Sequence, residues 1–74
     1  MSVVELELRG KHITLDVLLK ASGLAGSGGA AKVLIADAAV RVNWQVETRR
    51  GRKLRADDVV VLGEAQVRVR TAQG

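Results

Sequence analysis

The side chains best suited to chemistry in this sequence are cations, and they are concentrated in one short segment. Residues 49–55 read RRGRKLR, so five of the seven positions are basic and none is acidic. Positive groups packed this densely repel one another unless solvent or an anionic partner screens them. Each arginine can also contact two phosphate oxygens at once through its planar guanidinium group. We interpret this run, called the basic segment below, as a candidate phosphate-binding site. Its cations are Arg49, Arg50, Arg52, Lys53 and Arg55.

A second candidate phosphate site begins at Ser27. Serine is a common helix N-cap, and the apolar run that follows predicts a helix whose first backbone N–H groups are free to bind a phosphate. Gly28 and Gly29 would let a ligand approach the backbone closely, and Lys32 follows one turn later. The same residues also fit a helix cap inside a flexible joint, and Lys32 also fits an ordinary solubilising residue.

Three further polar residues complete the candidate set: Lys20, Arg41 and Asn43. Lys20 falls near the end of a predicted helix, where it could equally serve solubility. Asn43 falls at the tip of a predicted hairpin, where ordering the turn is its main role and ligand contact a secondary one. Trp44 is the only aromatic residue in the chain. Because a single large aromatic in an aliphatic protein is usually packed, we expect Trp44 in the core, with an exposed stacking role as the alternative.

The overall charge favours an anionic partner. The net charge is +4, the sequence pI is about 10.4, and six of the twelve basic residues fall within residues 41–55. If the anionic partner is RNA, a structured RNA is favoured over a single strand, because single-strand binding relies on several aromatic stacking residues. Readout would then rest on shape and phosphates, since the major groove of A-form RNA excludes side chains. The alternatives are a protein-interaction module, such as a ubiquitin-like carrier or a ribosome-associated adaptor, and attraction to an anionic membrane surface, although no amphipathic helix carries the basic run.

The composition argues against an enzyme. The chain has no cysteine, so disulfides and thiolate metal sites are excluded, and the single histidine, His12, cannot form a metal site alone. Neither a Ser-His-Asp grouping nor a phosphate-cradling loop with its lysine is apparent. We therefore expect a non-catalytic protein that needs no cofactor. The longest apolar runs are only a few residues and the N-terminus lacks the layout of a signal peptide, so we expect a cytoplasmic protein. We also expect the protein to be monomeric.

The hydrophobic pattern predicts one small α+β domain over residues 1–74. Alternating apolar and polar residues predict a strand over residues 4–9. Leucines at helical spacing predict a helix over residues 15–22, with the hydroxyl of Thr14 as its N-cap and Gly23 at its C-terminal end.

The remaining elements are read from the same patterns. The second helix is predicted to start at Ser27 and to present an apolar face of Ala31, Leu34, Ile35 and Ala38. A hairpin with its tip at Asn43 and Trp44 follows. The elements after it are an irregular basic loop, a turn over residues 56–58, a buried strand over residues 59–62 and a last strand around residues 67–70, with a frayed end from residue 71.

The order and spacing of these motifs resemble the RNA-binding domain named after ribosomal small-subunit protein S-four. That family has a Leu-Asp pair opening its first helix, a Ser opening the second, a Leu-Ile pair inside it, a Val-x-Val-Asn-Gly strand and turn, and then Arg/Lys-x-Gly-Asp-x-Val. The matching residues are Leu15-Asp16, Ser27, Leu34-Ile35, Val40-Arg41-Val42-Asn43-Trp44 and Arg55-Ala56-Asp57-Asp58-Val59. The match covers residues 13–69, and residues 27–32 look like those of small stand-alone bacterial members.

The resemblance implies an S-four-like fold with the alpha-L motif: two short packed helices against a small, mostly antiparallel sheet of about four to five strands. It also implies a non-catalytic module that binds structured RNA, either ribosomal or tRNA-like. Ala38, Trp44 and Asp57 stand where the family usually has glycine. Because tryptophan is costly at a positive φ, the hairpin tip is expected to use another turn type. Gly28 replaces a common arginine, so the second helix is expected to add less positive charge.

Overall fold

The structure, a computed structural model, describes residues 2–71. This part of the chain contains seven short strands and two helices. The strands are β1 (Ser2–Leu8), β2 (Ile13–Thr14), β3 (Val40–Val42), β4 (Gln45–Val46), β5 (Lys53–Leu54), β6 (Val59–Leu62) and β7 (Ala65–Thr71). The helices are α1 (Leu15–Ala21) and α2 (Gly28–Ala36). The order matches the predicted one, with β2 and β5 as elements that the sequence patterns did not indicate.

Five of the strands form one sheet in the order β1-β7-β6-β3-β4. All neighbours in it are antiparallel except β1 and β7, which run parallel from the Ser2–Ala65 pair to the Leu8–Thr71 pair. The predicted mostly antiparallel sheet is therefore confirmed. The strands β2 and β5 form a separate antiparallel pair. The chain was predicted to be frayed from residue 71. Thr71 lies within β7 instead, and residues 72–74 lie outside the described residues.

The core is aliphatic, as the composition predicts, and lies between one face of the sheet and the two helices. Side chains alternate along each strand, so the cross-strand partners Val42, Val60 and Val67 share the buried face. The helices add Leu15, Leu18, Leu19, Ala31 and Ile35 to the same cluster. Burying one such leucine, isoleucine or valine stabilises the fold by about 1.5–3 kcal/mol. This packing holds both helices, each too short to be stable alone, against the sheet.

Both helices end in left-handed backbone. Gly23 follows α1 with a φ of 82°, as predicted for its C-terminal end. Helix α2 begins after Ser27, whose Oγ accepts a hydrogen bond from the backbone N–H of Ala30 at 3.1 Å, so the predicted cap is confirmed. Ala38, in contrast, is exposed and has a φ of 60°, which takes it out of the helix. The prediction that Ala38 lies on the apolar face of α2 is therefore wrong.

The hairpin of β3 and β4 turns through only two residues, Asn43 and Trp44, between the paired Val42 and Gln45. Their φ angles are 50° and 68°. Two positive φ values in a two-residue loop are the pattern of a type I′ turn, whose twist matches that of the flanking strands. The expectation of another turn type is therefore wrong. The expectation of a packed Trp44 is also wrong, because the residue is 61% exposed.

Candidate nucleic-acid interface

The basic segment is more ordered than the irregular loop predicted for it. A turn at residues 50–51 is closed by a hydrogen bond from the N–H of Arg52 to the carbonyl oxygen of Arg49, with an N–O distance of 3.2 Å. The chain then enters β5, which pairs with β2 and places Leu54 in the core. Lys53 is exposed on the same strand. The segment is therefore fixed to the body of the protein at its C-terminal half.

Carbonyl groups of the basic segment cap the start of α1. The N–H of Leu15 donates to the carbonyl oxygen of Arg52 at 2.9 Å, and the N–H of Asp16 donates to that of Arg50 at 3.2 Å. The first N–H groups of a helix have no acceptor within the helix, so the segment supplies the missing acceptors. The hydroxyl of Thr14 makes no capping hydrogen bond, and the prediction of that cap is wrong.

Among the described residues, Glu47 alone is both charged and buried, with 7% of its surface exposed. Its carboxylate accepts hydrogen bonds from Arg49 (Nε at 3.2 Å and the backbone N at 3.1 Å) and from Arg52 (Nη1 at 2.8 Å). The hydrogen bonds from Arg49, followed by those from Arg52, lower the pKa of Glu47 from 4.5 to about 2 against the opposing effect of desolvation. The sequence analysis missed this role. The available signal was a carboxylate placed two residues before one arginine and five before another.

Four of the five cations line one shallow, open hollow, which we call the basic hollow. It is formed by Arg49, Gly51, Arg52, Lys53 and Arg55. Arg50 is exposed at the adjacent turn and does not line the hollow. The structure thus brings together most of the basic segment on one surface, where it is open to a polyanion.

Asp58 links the end of the basic segment to the hairpin tip. Its Oδ2 accepts a hydrogen bond from the backbone N–H of Arg55 at 2.8 Å, and its Oδ1 accepts one from Nδ2 of Asn43 at 3.1 Å. The Oδ1 of Asn43 accepts in turn from the backbone N–H of Val59 at 3.0 Å. Asn43 therefore orders the turn, as predicted. Asp57, which stands at a usual glycine position of the family, adopts a φ of 75°, a left-handed conformation that aspartate tolerates better than most residues.

The start of α2 is not part of the basic hollow. The Oγ of Ser27 is used as the helix cap, whereas the N–H groups of Gly28 and Gly29 have no acceptor among residues 2–71. Lys32 is exposed on α2. The basic segment meets the N-terminal end of α1, and the chain reaches α2 only after leaving the other end of α1. The residues that line the basic hollow therefore include neither the cap of α2 nor Lys32.

The last two candidates lie elsewhere. Lys20 is exposed in the last turn of α1. Arg41 lies on the sheet face opposite the core, beside its cross-strand partner Val61, and lines a separate hollow with residues that follow α2. The structure does not bring Arg41 together with the basic hollow.

Residues 2–71 contain no group of three or more His, Asp or Glu side chains that could hold a metal ion. No helix within that range is both long enough and apolar enough to cross a membrane.

The chain belongs to the S4 domain family, which its residues 6–70 match. It is similar in structure to YbcJ from E. coli, with a TM-score of 0.67 and 36% sequence identity over 95% of this chain and 87% of that one. The solution structure of YbcJ is described as revealing an alfaL motif involved in RNA binding. No curated protein matches the chain. The predicted family and fold class are thus confirmed.

Proposed function

We propose that this protein is a non-catalytic module that binds structured RNA, ribosomal or tRNA-like, through phosphate contacts. The observation that carries the proposal is the basic hollow, in which four cations surround one open depression on a backbone anchored to α1 and β2. Membership of the S4 domain family and the RNA-binding motif described for YbcJ support the same partner.

The charges of the basic segment suit a polyanion. The segment has five cations, and the buried carboxylate of Glu47 offsets one of these charges. A surplus of four positive charges remains. If about four phosphates are neutralised, log affinity should fall with log salt concentration with a slope of roughly −2.8 to −3.6. The N–H groups of Gly28 and Gly29, which have no acceptor among the described residues, are a secondary contact for another phosphate of the same RNA.

The experiment compares two double variants that remove the same charge from different surfaces. Arg50→Gln with Arg55→Gln removes two cations from the basic segment. Arg68→Gln with Arg70→Gln removes two exposed cations from β7, where they form exposed ion pairs with Asp57 and Glu5. Affinity for a folded RNA and for duplex DNA is measured across a salt series for each protein.

The variant of the basic segment should bind RNA about tenfold or more weakly, and its salt slope should be smaller in magnitude by about 1.4 to 1.8, which corresponds to two lost phosphate contacts. The β7 variant should stay within about threefold of the original protein, because Arg68 and Arg70 do not line the basic hollow and their charges are already paired with Asp57 and Glu5. Equal losses in both variants would show attraction by net charge alone and overturn the site. Equal affinity for DNA would overturn the preference for RNA.

A further inference from the structure

Trp44 occupies a position that is unusual for the only aromatic residue of a protein. It lies at the tip of the β3–β4 hairpin, with 61% of its surface exposed and a φ of 68°. A large side chain in left-handed backbone is sterically unfavourable, and the same turn would form more easily with glycine. Strained backbone conformations of this kind cluster at functional sites.

The turn that carries Trp44 is rigidly connected to the basic segment on two sides. On one side, Asn43 is hydrogen-bonded to the carboxylate of Asp58, and the same carboxylate holds the backbone N–H of Arg55. On the other side, β4 leads within three residues from Trp44 to Glu47, which binds two arginines of the segment. Three residues of extended chain span about 10 Å. The backbone of Trp44 therefore lies within about 10 Å of that of Glu47, which binds two arginines of the basic segment.

We infer that Trp44 stacks on one unpaired base of the RNA whose phosphates occupy the basic hollow, and this inference rests on the proposed function. Base stacking on an aromatic face tolerates any base, since each has a π surface, and a nearby cationic surface holds the backbone of the same nucleotide. A nucleotide fits this hairpin better than an extended apolar protein segment does, because the chain neighbours of Trp44 are the polar residues Asn43 and Gln45, Val46 is the one exposed apolar residue of β4, and the five cations of the basic segment begin five residues after Trp44. The preferred ligand is therefore a paired RNA that carries an unpaired nucleotide.

The test measures affinity by the fluorescence anisotropy of end-labelled RNA, which applies to every variant, and measures contact with the indole by the intrinsic emission of the original protein, which reports on Trp44 alone because the chain has one tryptophan and no tyrosine. Three short RNAs are titrated: a fully paired duplex, the same duplex with one unpaired adenosine, and the same bulged duplex with an abasic nucleotide at the unpaired position. The last two have the same phosphates and differ only in the base. The protein is compared with Trp44→Gly, which suits the turn geometry, and with Trp44→Phe, which retains an aromatic face.

All three RNAs should bind, but only the unpaired adenosine should quench the emission and bind more tightly than its abasic counterpart, by about 5- to 150-fold. Trp44→Gly should remove that preference while leaving affinity for the fully paired duplex unchanged, and Trp44→Phe should retain part of it. Thermal unfolding of each variant confirms that it is folded.

The outcomes separate this inference from the proposed function. Binding of all three RNAs with equal affinity and unchanged emission would overturn the stacking assignment and would indicate that Trp44 contacts a protein instead. The RNA-binding function would remain intact. Failure to bind any of the RNAs at low salt would overturn both.

Discussion

Glu47 is the residue that gives the basic segment a defined shape. A carboxylate that is nearly excluded from solvent must be hydrogen-bonded or lose its charge, and Arg49 and Arg52 supply the donors. The same contacts raise the pKa of Arg49. Arg49 nevertheless keeps 76% of its side chain exposed. Since a guanidinium has five N–H donors, both arginines retain donors for a phosphate after binding Glu47.

Replacing Glu47 with glutamine should destabilise the protein and change how stability depends on pH. At pH 7 we expect a loss of about 1–3 kcal/mol, the usual value for hydrogen bonds between charged groups. Because the pKa of Glu47 in the folded protein is about 2, below its ordinary value of 4.5, its contribution is fully present above pH 4.5 and is lost as the pH falls towards 2. The difference between the two proteins in urea unfolding should therefore shrink over that range.

The matched control for this measurement is Glu64→Gln, which lies exposed in the turn between β6 and β7. It should change stability by less than about 0.5 kcal/mol at pH 7. A constant difference between Glu47→Gln and the original protein from pH 7 to pH 2 would contradict the assigned ion pairs.

The backbone strain at Trp44 can be measured separately from its contacts. Trp44→Ala and Trp44→Gly both remove the indole, but only glycine removes the steric cost of a positive φ. We expect the glycine variant to be about 1–2 kcal/mol more stable than the alanine variant in chemical denaturation. Equal stabilities would mean that the turn changes its conformation when the indole is absent.

At the scale of elements, α1 and the basic segment depend on each other. The helix gains acceptors for two N–H groups in its first turn, and the segment gains fixed positions for two of its peptide groups. Helix α2 is different, because its N-cap residue Ser27 supplies the only side-chain acceptor at its start among the described residues. The Oγ of Ser27 accepts a hydrogen bond from one N–H of the first turn. One helix start is closed by the basic segment and the other is open to a ligand.

This difference predicts a pattern of hydrogen exchange. The amides of Leu15 and Asp16 should be protected despite their place at a helix start, because both are hydrogen-bonded to the basic segment. The amides of Gly28 and Gly29 should exchange near the rate of an unstructured chain. Amide-resolved exchange measured by NMR in the folded protein tests both expectations, and comparable rates at the two helix starts would refute the difference.

Several local features of the fold were predictable from the sequence, although the Thr14 cap and the place of Ala38 were not, and long-range contacts were not predictable. Ser27 and Gly23 act within a few residues of their own positions, so residue type alone indicated the helix ends. The capping of α1 by residues that lie 34 and 37 positions later in the chain leaves no periodic signal. Neither does the parallel pairing of β1 with β7. The prediction of a packed Trp44 relied on the general tendency of aromatic residues to be buried. The two-residue hairpin places this residue in an exposed turn instead.

Similar reasoning applies to the candidate site. The density of cations in residues 49–55 was sufficient to locate the basic hollow. The sequence could not indicate that Arg41 lies on the opposite face of the sheet from the core, apart from that hollow, because its position depends on strand register. The partnership of Glu47 also depends on the turn that brings Arg52 back towards it.

Across the whole molecule, the excess of positive charge should affect folding and binding in opposite directions. With a net charge of +4 and five cations in one segment, the free protein carries internal repulsion that salt screens. Raising the salt concentration from about 50 to 500 mM should raise the melting temperature by roughly 2–4 °C, or about 0.5 kcal/mol. The same change should weaken RNA binding. A falling melting temperature would indicate that ion pairs outweigh the repulsion.

The capping of α1 by peptide carbonyls also bears on susceptibility to proteolysis. Trypsin cleaves after arginine and lysine, and exposed loops are its usual targets. The bonds after Arg50 and Arg52 have carbonyl groups already engaged by α1, so a protease would have to pull them away from the helix before cutting. The exposed connection near Arg9 and Lys11, where Gly10 has a φ of 99°, makes no such contact among the described residues. The most arginine-rich part of the chain is therefore expected to resist digestion longer than that connection does.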